Sequence, residues 1–345
     1  MSDAEVLTRI EGSVGRITLN RPKALHALNQ AMCEAMTAAL LEWRDDPAVT
    51  MVLIDHAGER GFCAGGDIRM IAESGASDAV AARAFFHAEY RLNDLLFRYP
   101  KMVVAVIDGI VMGGGVGISM PADVRIATER TTFAMPETGI GLFPDVGGGW
   151  FLPRLPEPER GTWLALTGAR LKGRDTVAAG IATHFVESDR VEVLKAAIVR
   201  DGLGALEGLT TTGDPIVPVP GILVPLFGHD TVESVFAALE ADGGDWPLAQ
   251  LALLKTRSPQ SLKVTLRQLR LGAAMGSFAD NMAMEYRLGG RVVRTHDFQE
   301  GVRAVIVDKD NAPTWSPATL EGVTEADLDA LFAPLPAEEE WTPLP

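Results

Sequence analysis

A cluster of glycines, Gly-Gly-Gly-Val-Gly at residues 113–117, lies a few residues after a short apolar run at residues 102–107. The run is rich in β-branched residues, which favours a buried strand. Residues 118–122 are typical of the start of a helix. A strand that enters a helix through glycines leaves backbone N–H groups unpaired, and no Cβ keeps a ligand away from them. The cluster therefore predicts either a ligand-binding turn or a tightly packed one.

A second turn of the same kind lies upstream, at residues 62–69, after an apolar strand at residues 51–54 and before a predicted helix. Two such turns can hold one developing oxyanion between two N–H groups. Further along, a loop rich in proline and glycine carries Glu137 and Asp145, eight positions apart. Carboxylates among apolar neighbours need a partner or a role. An anion-binding turn together with these two acids predicts chemistry on an acyl group.

The chain resembles the crotonase (enoyl-CoA hydratase/isomerase) superfamily, on residues 21–29 (Arg-Pro-Lys-Ala-Leu-His-Ala-Leu-Asn), the turn around Gly65 and Gly66, and residues 113–117. Within it, the chain is most similar to the group that hydrolyses 3-hydroxyisobutyryl-CoA. The segments that carry this closer similarity are residues 62–69, 135–138, 141–149, 166–175, 182–186, 296–304 and 308–310. The resemblance covers most of the chain and implies a crotonase-like spiral of ββα units.

Alternation of strand and helix patterns through residues 1–203 independently predicts an α/β core that contains the site. Residues 204–226 are rich in glycine, proline and threonine, which favours a linker. Helical patterns follow, so that residues 204–345 are expected to form a mainly helical region that covers the pocket or makes subunit contacts. The proline- and glutamate-rich tail at residues 334–345 predicts a frayed end.

The resemblance also implies roles for individual residues. Gly66 and Gly114 match the two N–H donors that polarise the thioester carbonyl in this superfamily. The hydratases carry a glutamate two residues after the glycine triplet, where this chain has Gly117. Of the two glutamates with which hydratases activate water, only the second remains, as Glu137. Asp145, in contrast, occupies a position where hydratases commonly have a small residue.

This exchange of acids predicts thioester hydrolysis. Glu137 would act as a nucleophile through a mixed anhydride or as the base that activates water, and Asp145 would orient that water or bind the substrate hydroxyl. Glu89 matches a substrate-contacting glutamate of the hydrolase group, although its helical pattern alone fits a solvated position equally well. The expected coenzyme A contacts are Lys23, Ala64, Gly65 and Arg69.

Composition narrows the classes of partner. A net charge of -15 without a basic stripe argues against nucleic acids and anionic membrane surfaces. Coenzyme A stays compatible, because its phosphates need only a few local cations. The start of the chain lacks the pattern of a signal or transit peptide, no long apolar run predicts a membrane span, and the two cysteines suit a reducing compartment. These features predict a cytoplasmic enzyme, compatible with a homo-oligomer. Neither a metal nor a cofactor is expected, since coenzyme A is part of the substrate.

Two other functions stay open at this point. The first is a hydratase or isomerase acting on another acyl-CoA, against which Gly117 counts. The second is a non-catalytic subunit that binds acyl-CoA, against which Glu137, Asp145 and both glycine turns count. The sequence does not separate 3-hydroxyisobutyryl-CoA from 3-hydroxypropionyl-CoA or other short 3-hydroxyacyl thioesters.

Overall fold

The computed structural model describes residues 4–213, 218 and 220–345. The strands in this part of the chain are β1 Val6–Glu11, β2 Val14–Leu19, β3 Met51–His56, β4 Gly61–Cys63, β5 Met102–Val106, β6 Ile110–Met112, β7 Val124–Ala127, β8 Thr132–Ala134, β9 Leu171–Lys172 and β10 His184–Phe185. The helices are α1 Gln30–Arg44, α2 Ile68–Gly75, α3 Val80–Phe97, α4 Gly114–Gly117, α5 Gly148–Phe151, α6 Pro158–Thr167, α7 Arg174–Ala178, α8 Val191–Asp201, α9 Val224–Phe227, α10 Val232–Asp242, α11 Asp245–Leu254, α12 Pro259–Ala274, α13 Phe278–Val292, α14 His296–Val302 and α15 Glu325–Phe332.

The strands form two sheets, and each repeating unit contributes one strand to each sheet. The larger sheet has the order β1-β2-β3-β5-β7-β10 and is parallel except for the β1–β2 hairpin. The smaller sheet has the order β4-β6-β8-β9, and its first three strands are parallel. In three successive units the first strand (β3, β5, β7) joins the large sheet and the second (β4, β6, β8) joins the small one. This repeat confirms the predicted α/β spiral.

Alternate residues of β5 enter two different cores. Val103 and Ala105 pack in the main core, while Val104 and Val106 pack in a second cluster beneath α8. Side chains of a strand point to opposite faces in turn, and a parallel strand covered on both faces is apolar throughout. The main core includes residues from Val6 to Trp341, so the C-terminal helices pack into the same interior as the sheets.

Most predicted helices are confirmed, including the C-terminal helices α10 to α13 and α15. The helix predicted at residues 118–122 is wrong, because α4 is a single turn that begins at Gly114 and ends at Gly117. Pro121, which has no N–H group, cannot donate to a helix continuing from that turn. None of the helices in the described ranges is long and apolar enough to cross a membrane.

The predicted fraying of the tail is also wrong. Trp341 is only 4% exposed, and Glu340 forms an ion pair with Arg287 of α13 at 2.8 Å. Arginines on the helices beneath therefore neutralise glutamates that suggested disorder. The division of the chain at residues 203 and 204 stays a prediction, and part of the predicted linker, residues 214–217 and 219, lies outside the described residues.

Candidate active site

Both glycine turns lie at the same edge of the small sheet. The first follows β4 and the second follows β6, and these two strands pair in parallel. A Cβ built on Gly65 would lie 3.9 Å from the Cα of Gly113, so the two turns are in contact. Gly65 and Gly113 have φ angles of +123° and +46°, which favour glycine at both positions.

Gly66 and Gly114 each contribute an unpaired backbone N–H. In the described ranges, neither N–H group has a backbone hydrogen-bond partner, and both residues line one cavity of about 690 Å³. Gly114 is the first residue of α4, where an N–H group has no acceptor within its own helix. The structure thus places the two predicted donors at the wall of a cavity, and their role as an oxyanion hole stays a prediction.

Three buried carboxyl groups line the same cavity. Glu89 of α3 is 2% exposed, Glu137 at the start of a 3₁₀ turn is 5% exposed, and Asp145 is 6% exposed. Glu89 Oε1 and Glu137 Oε2 have no hydrogen-bond partner in the part of the chain that the structure describes. Buried polar atoms are normally paired, so unpaired oxygens at a cavity wall indicate groups that face a ligand or water. The solvated position that the helical pattern left open for Glu89 is therefore excluded.

The three carboxyl groups differ in their pKa values. Burial raises the pKa of Glu89 and of Glu137 well above the ordinary value, and the nearby charge of Asp145 raises both further. Burial raises the pKa of Asp145 only to about 6, because the Tyr90 hydroxyl stabilises its charged form. Asp145 is thus the first of the three to ionise. Environments that separate the pKa values of neighbouring acids are typical of acid–base pairs.

Tyr90 is a site residue that the sequence did not single out. Its hydroxyl donates a hydrogen bond of 2.8 Å to Asp145 Oδ2, and its ring is fully buried. Glu285 of α13 is a second such residue, since its carboxylate accepts the N–H groups of Gly147 and Gly149 in the loop that carries Asp145. The available signal for Glu285 was a carboxylate directly between the apolar residues Met284 and Tyr286 of its helix.

The predicted coenzyme A contacts divide into two pairs. Ala64 and Gly65 line the cavity. Lys23 is exposed on a short 3₁₀ turn, and Arg69 is exposed with a 3.3 Å hydrogen bond to the carbonyl of Ile306; neither is among the lining residues. Two other arginines do line the cavity. Arg170 is exposed, and Arg257 is half-buried and donates to the carbonyl of Thr167 at 2.6 Å.

The C-terminal helical region forms part of the cavity wall. Its lining residues come from α11, from the loop after it, and from the π-helix Arg303–Val307 and the segment beyond it: Leu253, Arg257, Val305, Ile306 and Asn311. The site is thus enclosed between the glycine turns on one side and these segments on the other.

Comparison with known proteins gives one family and two kinds of named reaction. The enoyl-CoA hydratase/isomerase family model matches residues 14–332. The protein named 3-hydroxyisobutyryl-CoA hydrolase, mitochondrial, from Danio rerio is 46% identical over 96% of this chain and 90% of its own length. The protein of the same name from Homo sapiens is 45% identical over 96% of this chain and 89% of its own length.

Two solved structures match nearly the whole chain. A carnitinyl-CoA dehydratase from Mycobacterium thermoresistibile is 42% identical, with a TM-score of 0.92 and coverage of 99% of both chains. An enoyl-CoA hydratase from Rhodobacter sphaeroides 2.4.1 is 39% identical, with a TM-score of 0.89 and coverage of 98% of this chain and 100% of the other.

Proposed function

Because the chain belongs to the enoyl-CoA hydratase/isomerase family, we propose that it is an acyl-CoA thioester hydrolase that uses this cavity. The proposed substrate is 3-hydroxyisobutyryl-CoA, and the products are 3-hydroxyisobutyrate and free coenzyme A. The names of the relatives from Danio rerio and Homo sapiens support this choice. The reaction would belong to valine breakdown.

The set of acids at the cavity wall carries the proposal. Glu137 and Asp145 line the cavity together, whereas Gly117 brings no carboxylate to it. A hydratase of this superfamily uses a glutamate at each of the positions of Gly117 and Glu137. This chain has lost the first acid and gained Asp145, so it holds a carboxyl pair in a different arrangement. Such a pair suits activation of water for attack on a carbonyl carbon.

In the proposed reaction, the N–H groups of Gly66 and Gly114 stabilise the charge that develops on the thioester oxygen. Asp145, and not Glu137 as expected from the sequence, is the proposed base, because the pKa of Glu137 is raised well above its ordinary value while that of Asp145 is about 6. Ionised Asp145 accepts a proton from a water molecule as the water oxygen bonds to the carbonyl carbon. Protonated Glu137 donates a proton to sulfur as the C–S bond breaks. The proton on Asp145 then returns to Glu137, so that one water is consumed for each thiol and acid released.

Glu89 is proposed to bind the 3-hydroxyl group of the substrate. Its unpaired Oε1 lies only 2.6 Å from the point where a Cβ of Gly114 would stand, which places it beside the proposed oxyanion donor. The Glu89 carboxyl group is therefore close to a short acyl chain whose carbonyl oxygen accepts the Gly114 N–H. Loss of the 3-hydroxyl is expected to weaken turnover more than loss of a methyl group, because a buried carboxyl group would be left unpaired.

The first test compares thiol release from 3-hydroxyisobutyryl-CoA with hydration of crotonyl-CoA by the same preparation. We expect hydrolysis to be the faster reaction. Glu137→Gln and Asp145→Asn should each lower kcat by about 10²–10⁴-fold with little change in KM, since both act in the chemical step. Glu73→Gln, an exposed change on α2, is the control.

Hydration is the second candidate function, and the names of the two solved structures favour it. Faster hydration of crotonyl-CoA than hydrolysis would establish it and reject the hydrolase proposal. Binding of acyl-CoA without either turnover would instead indicate a non-catalytic subunit.

A single turnover in H₂¹⁸O separates direct attack by water from a mixed anhydride that water opens at the Glu137 carbonyl. Direct attack places ¹⁸O only in the released acid. An anhydride that is opened at the Glu137 carbonyl places ¹⁸O in the protein, where mass spectrometry of the peptide that contains Glu137 would detect it.

Two further predictions concern the cellular location and the oligomeric state of the protein. The cytoplasmic location expected from the sequence stays a prediction, and the relatives from Danio rerio and Homo sapiens are named mitochondrial. A homo-oligomer, and catalysis without a cofactor other than the coenzyme A of the substrate, likewise stay predictions.

A further inference from the structure

The backbone directly after Asp145 has a conformation that its sequence disfavours. Val146 has a φ angle of +52°, and it is the only β-branched residue among the described non-glycine residues with positive φ. A β-branched residue in this region is a genuine outlier, and such conformations persist only where the surroundings enforce them. The next residue, Gly147, continues the turn with φ of +93°.

Two buried side chains fix this turn from both sides. The Glu285 carboxylate accepts the Gly147 N–H at 2.7 Å and the Gly149 N–H at 3.0 Å. The Gln268 amide donates to the carbonyl of Pro144 at 2.7 Å and to Glu285 at 3.0 Å. The pair therefore binds the backbone immediately before Asp145 and immediately after Val146.

The side chain of Val146 fills the room beside Gly117. A Cβ built on Gly117 would lie 2.5 Å from the Cβ of Val146 and 2.8 Å from Nδ2 of Asn93. The helix turn cannot move away freely, because a Cβ built on the neighbouring Gly115 would already lie 2.4 Å from the carbonyl oxygen of Cys63. The amide of Asn93 has no hydrogen-bond partner in the described residues and can turn away, whereas the Cβ of Val146 is fixed to the backbone. Of residues 117 and 146, therefore, only one can place a side chain in this shared room.

We propose that Gly117 and Glu285 are positioning residues that set the place of Asp145, and that the Val146 side chain only fills the space that Gly117 leaves free. The bare backbone at Gly117 admits the Val146 side chain, Glu285 holds the resulting left-handed turn, and the turn presents Asp145 to the cavity. While Asp145 keeps its present position, a side chain at residue 117 and the valine side chain at residue 146 therefore exclude each other. The predicted effect on catalysis rests on the proposed hydrolysis. The competition between the side chains of residues 117 and 146 for one space does not.

Three variants test whether side chains at residues 117 and 146 compete for the same space. They are Gly117→Ala, Val146→Gly and the double variant. Gly117→Ala should lower kcat for 3-hydroxyisobutyryl-CoA by about 100-fold with KM nearly unchanged, because a shift of about 1 Å in a catalytic group has that effect. Val146→Gly should keep most of the activity, since glycine adopts the turn without strain. The double variant should recover kcat to within about 10-fold of Val146→Gly. Gly276→Ala, where a Cβ would meet nothing within 4 Å, is the control.

The midpoint of urea unfolding is measured on the same variants. Gly117→Ala should lower it, and adding Val146→Gly should restore most of the loss. A double variant no better than Gly117→Ala in both kcat and midpoint would overturn the shared room. If wild type releases no thiol from any acyl-CoA, the proposed function fails, while the midpoints still decide whether residues 117 and 146 compete.

Glu285→Gln tests the hold on the turn. The variant replaces one oxygen acceptor with an amide donor, so that the N–H of Gly147 or of Gly149 loses its partner. We expect kcat to fall about 10-fold or more without a matching rise in KM. Glu240→Gln, an exposed change on α10, is the matched control. An unchanged kcat in Glu285→Gln would show that Glu285 does not position Asp145.

Discussion

Asp145 is distinguished from the two glutamates beside it by a hydrogen-bond donor. The Tyr90 hydroxyl binds its Oδ2, whereas Glu89 and Glu137 each keep an oxygen without a partner in the described residues. A donor to the charged form lowers the pKa of an acid, while burial raises it. Tyr90 therefore selects which of three neighbouring acids carries the negative charge near neutral pH.

Replacing Tyr90 by phenylalanine should shift the acid side of the pH–rate profile. The active form of Asp145 is the carboxylate, so kcat should rise with pH through about 6 in wild type. Without the hydroxyl donor the pKa of Asp145 rises, and the midpoint of the rise should move to higher pH. Rates measured from pH 5 to 9 test this, with Tyr99→Phe as a control remote from the cavity. A midpoint that stays in place or moves down would contradict the role of Tyr90.

Asp145 should also make stability depend on pH. Its pKa is raised from 3.8 to about 6 in the folded state, so the folded protein binds the proton more tightly than the unfolded chain does. Its contribution to stability is full below pH 3.8 and is lost as pH rises through about 6. Relative to Asp145→Asn, wild type should lose about 2 kcal/mol in free energy of unfolding between pH 4 and 7. Urea unfolding at both pH values measures the difference, and a constant difference would rule the shift out.

At the scale of elements, the tail at residues 334–345 connects the helices that carry the site. On α3, Arg83 pairs with Glu339, while Arg91 and Arg98 bind backbone carbonyls of the tail. On α13, Arg287 pairs with Glu340. The α3 arginines recur at intervals of eight and seven, which places them on one face of the helix. The tail thus covers α3, with Glu89 and Tyr90, and α13, with Glu285.

Trp341→Ala should show which part of the tail contact stabilises the fold. Exposed ion pairs contribute at most about 1 kcal/mol each, whereas truncating a buried tryptophan costs about 3–5 kcal/mol. We therefore expect this variant to lose several kcal/mol in free energy of unfolding. Trp315→Ala, at a half-buried tryptophan, should lose less. Equal losses in the two variants would mean that the tail is not held by burial of Trp341.

At the scale of the whole molecule, the negative net charge and the arginines at the cavity wall have opposite effects on an anionic ligand. The chain carries -15, so the bulk of its surface repels an anionic coenzyme A ester. The cavity is lined by Arg170 and Arg257, which come from different parts of the chain. If the phosphates of the proposed ligand bind beside these arginines, we expect the arginines to counteract this repulsion.

Arg170→Ala should weaken binding of the coenzyme A part and leave the acyl part unaffected. We expect KM for 3-hydroxyisobutyryl-CoA to rise about 2–5-fold, the size expected for one charge pair at an exposed site. KM for the N-acetylcysteamine thioester, which lacks phosphates, should not change. Lys172→Ala, a nearby exposed cation outside the cavity lining, is the control. Equal effects on both thioesters would refute a phosphate contact.

Local patterns predicted what depends on local structure. Apolar runs and turn residues located the strands, and glycines located the two turns. The resemblance to the family then singled out the N–H groups of Gly66 and Gly114 within those turns. Parallel pairing of β4 and β6 brings those turns together, as the predicted topology requires. The end of α4 was missed because the helical pattern after the glycines outweighed the signal of Pro121.

These patterns did not predict contacts between residues that lie far apart in the sequence. Tyr90 and Asp145 are 55 positions apart, and Gly147 and Glu285 are 138 apart. Nothing in the helical period of either helix shows which loop its polar residue will meet. The tail was mispredicted for the same reason, since its composition was judged without the arginines that receive it.

The shared room beside Gly117 has a consequence for how one reaction could have given rise to another. Residue 117 must lose its side chain before residue 146 can place a valine there, and the valine must leave before a longer side chain returns. If one residue is substituted at a time, the substitutions at residues 117 and 146 must therefore occur in a fixed order. The reverse route from this chain begins at residue 146, not at residue 117.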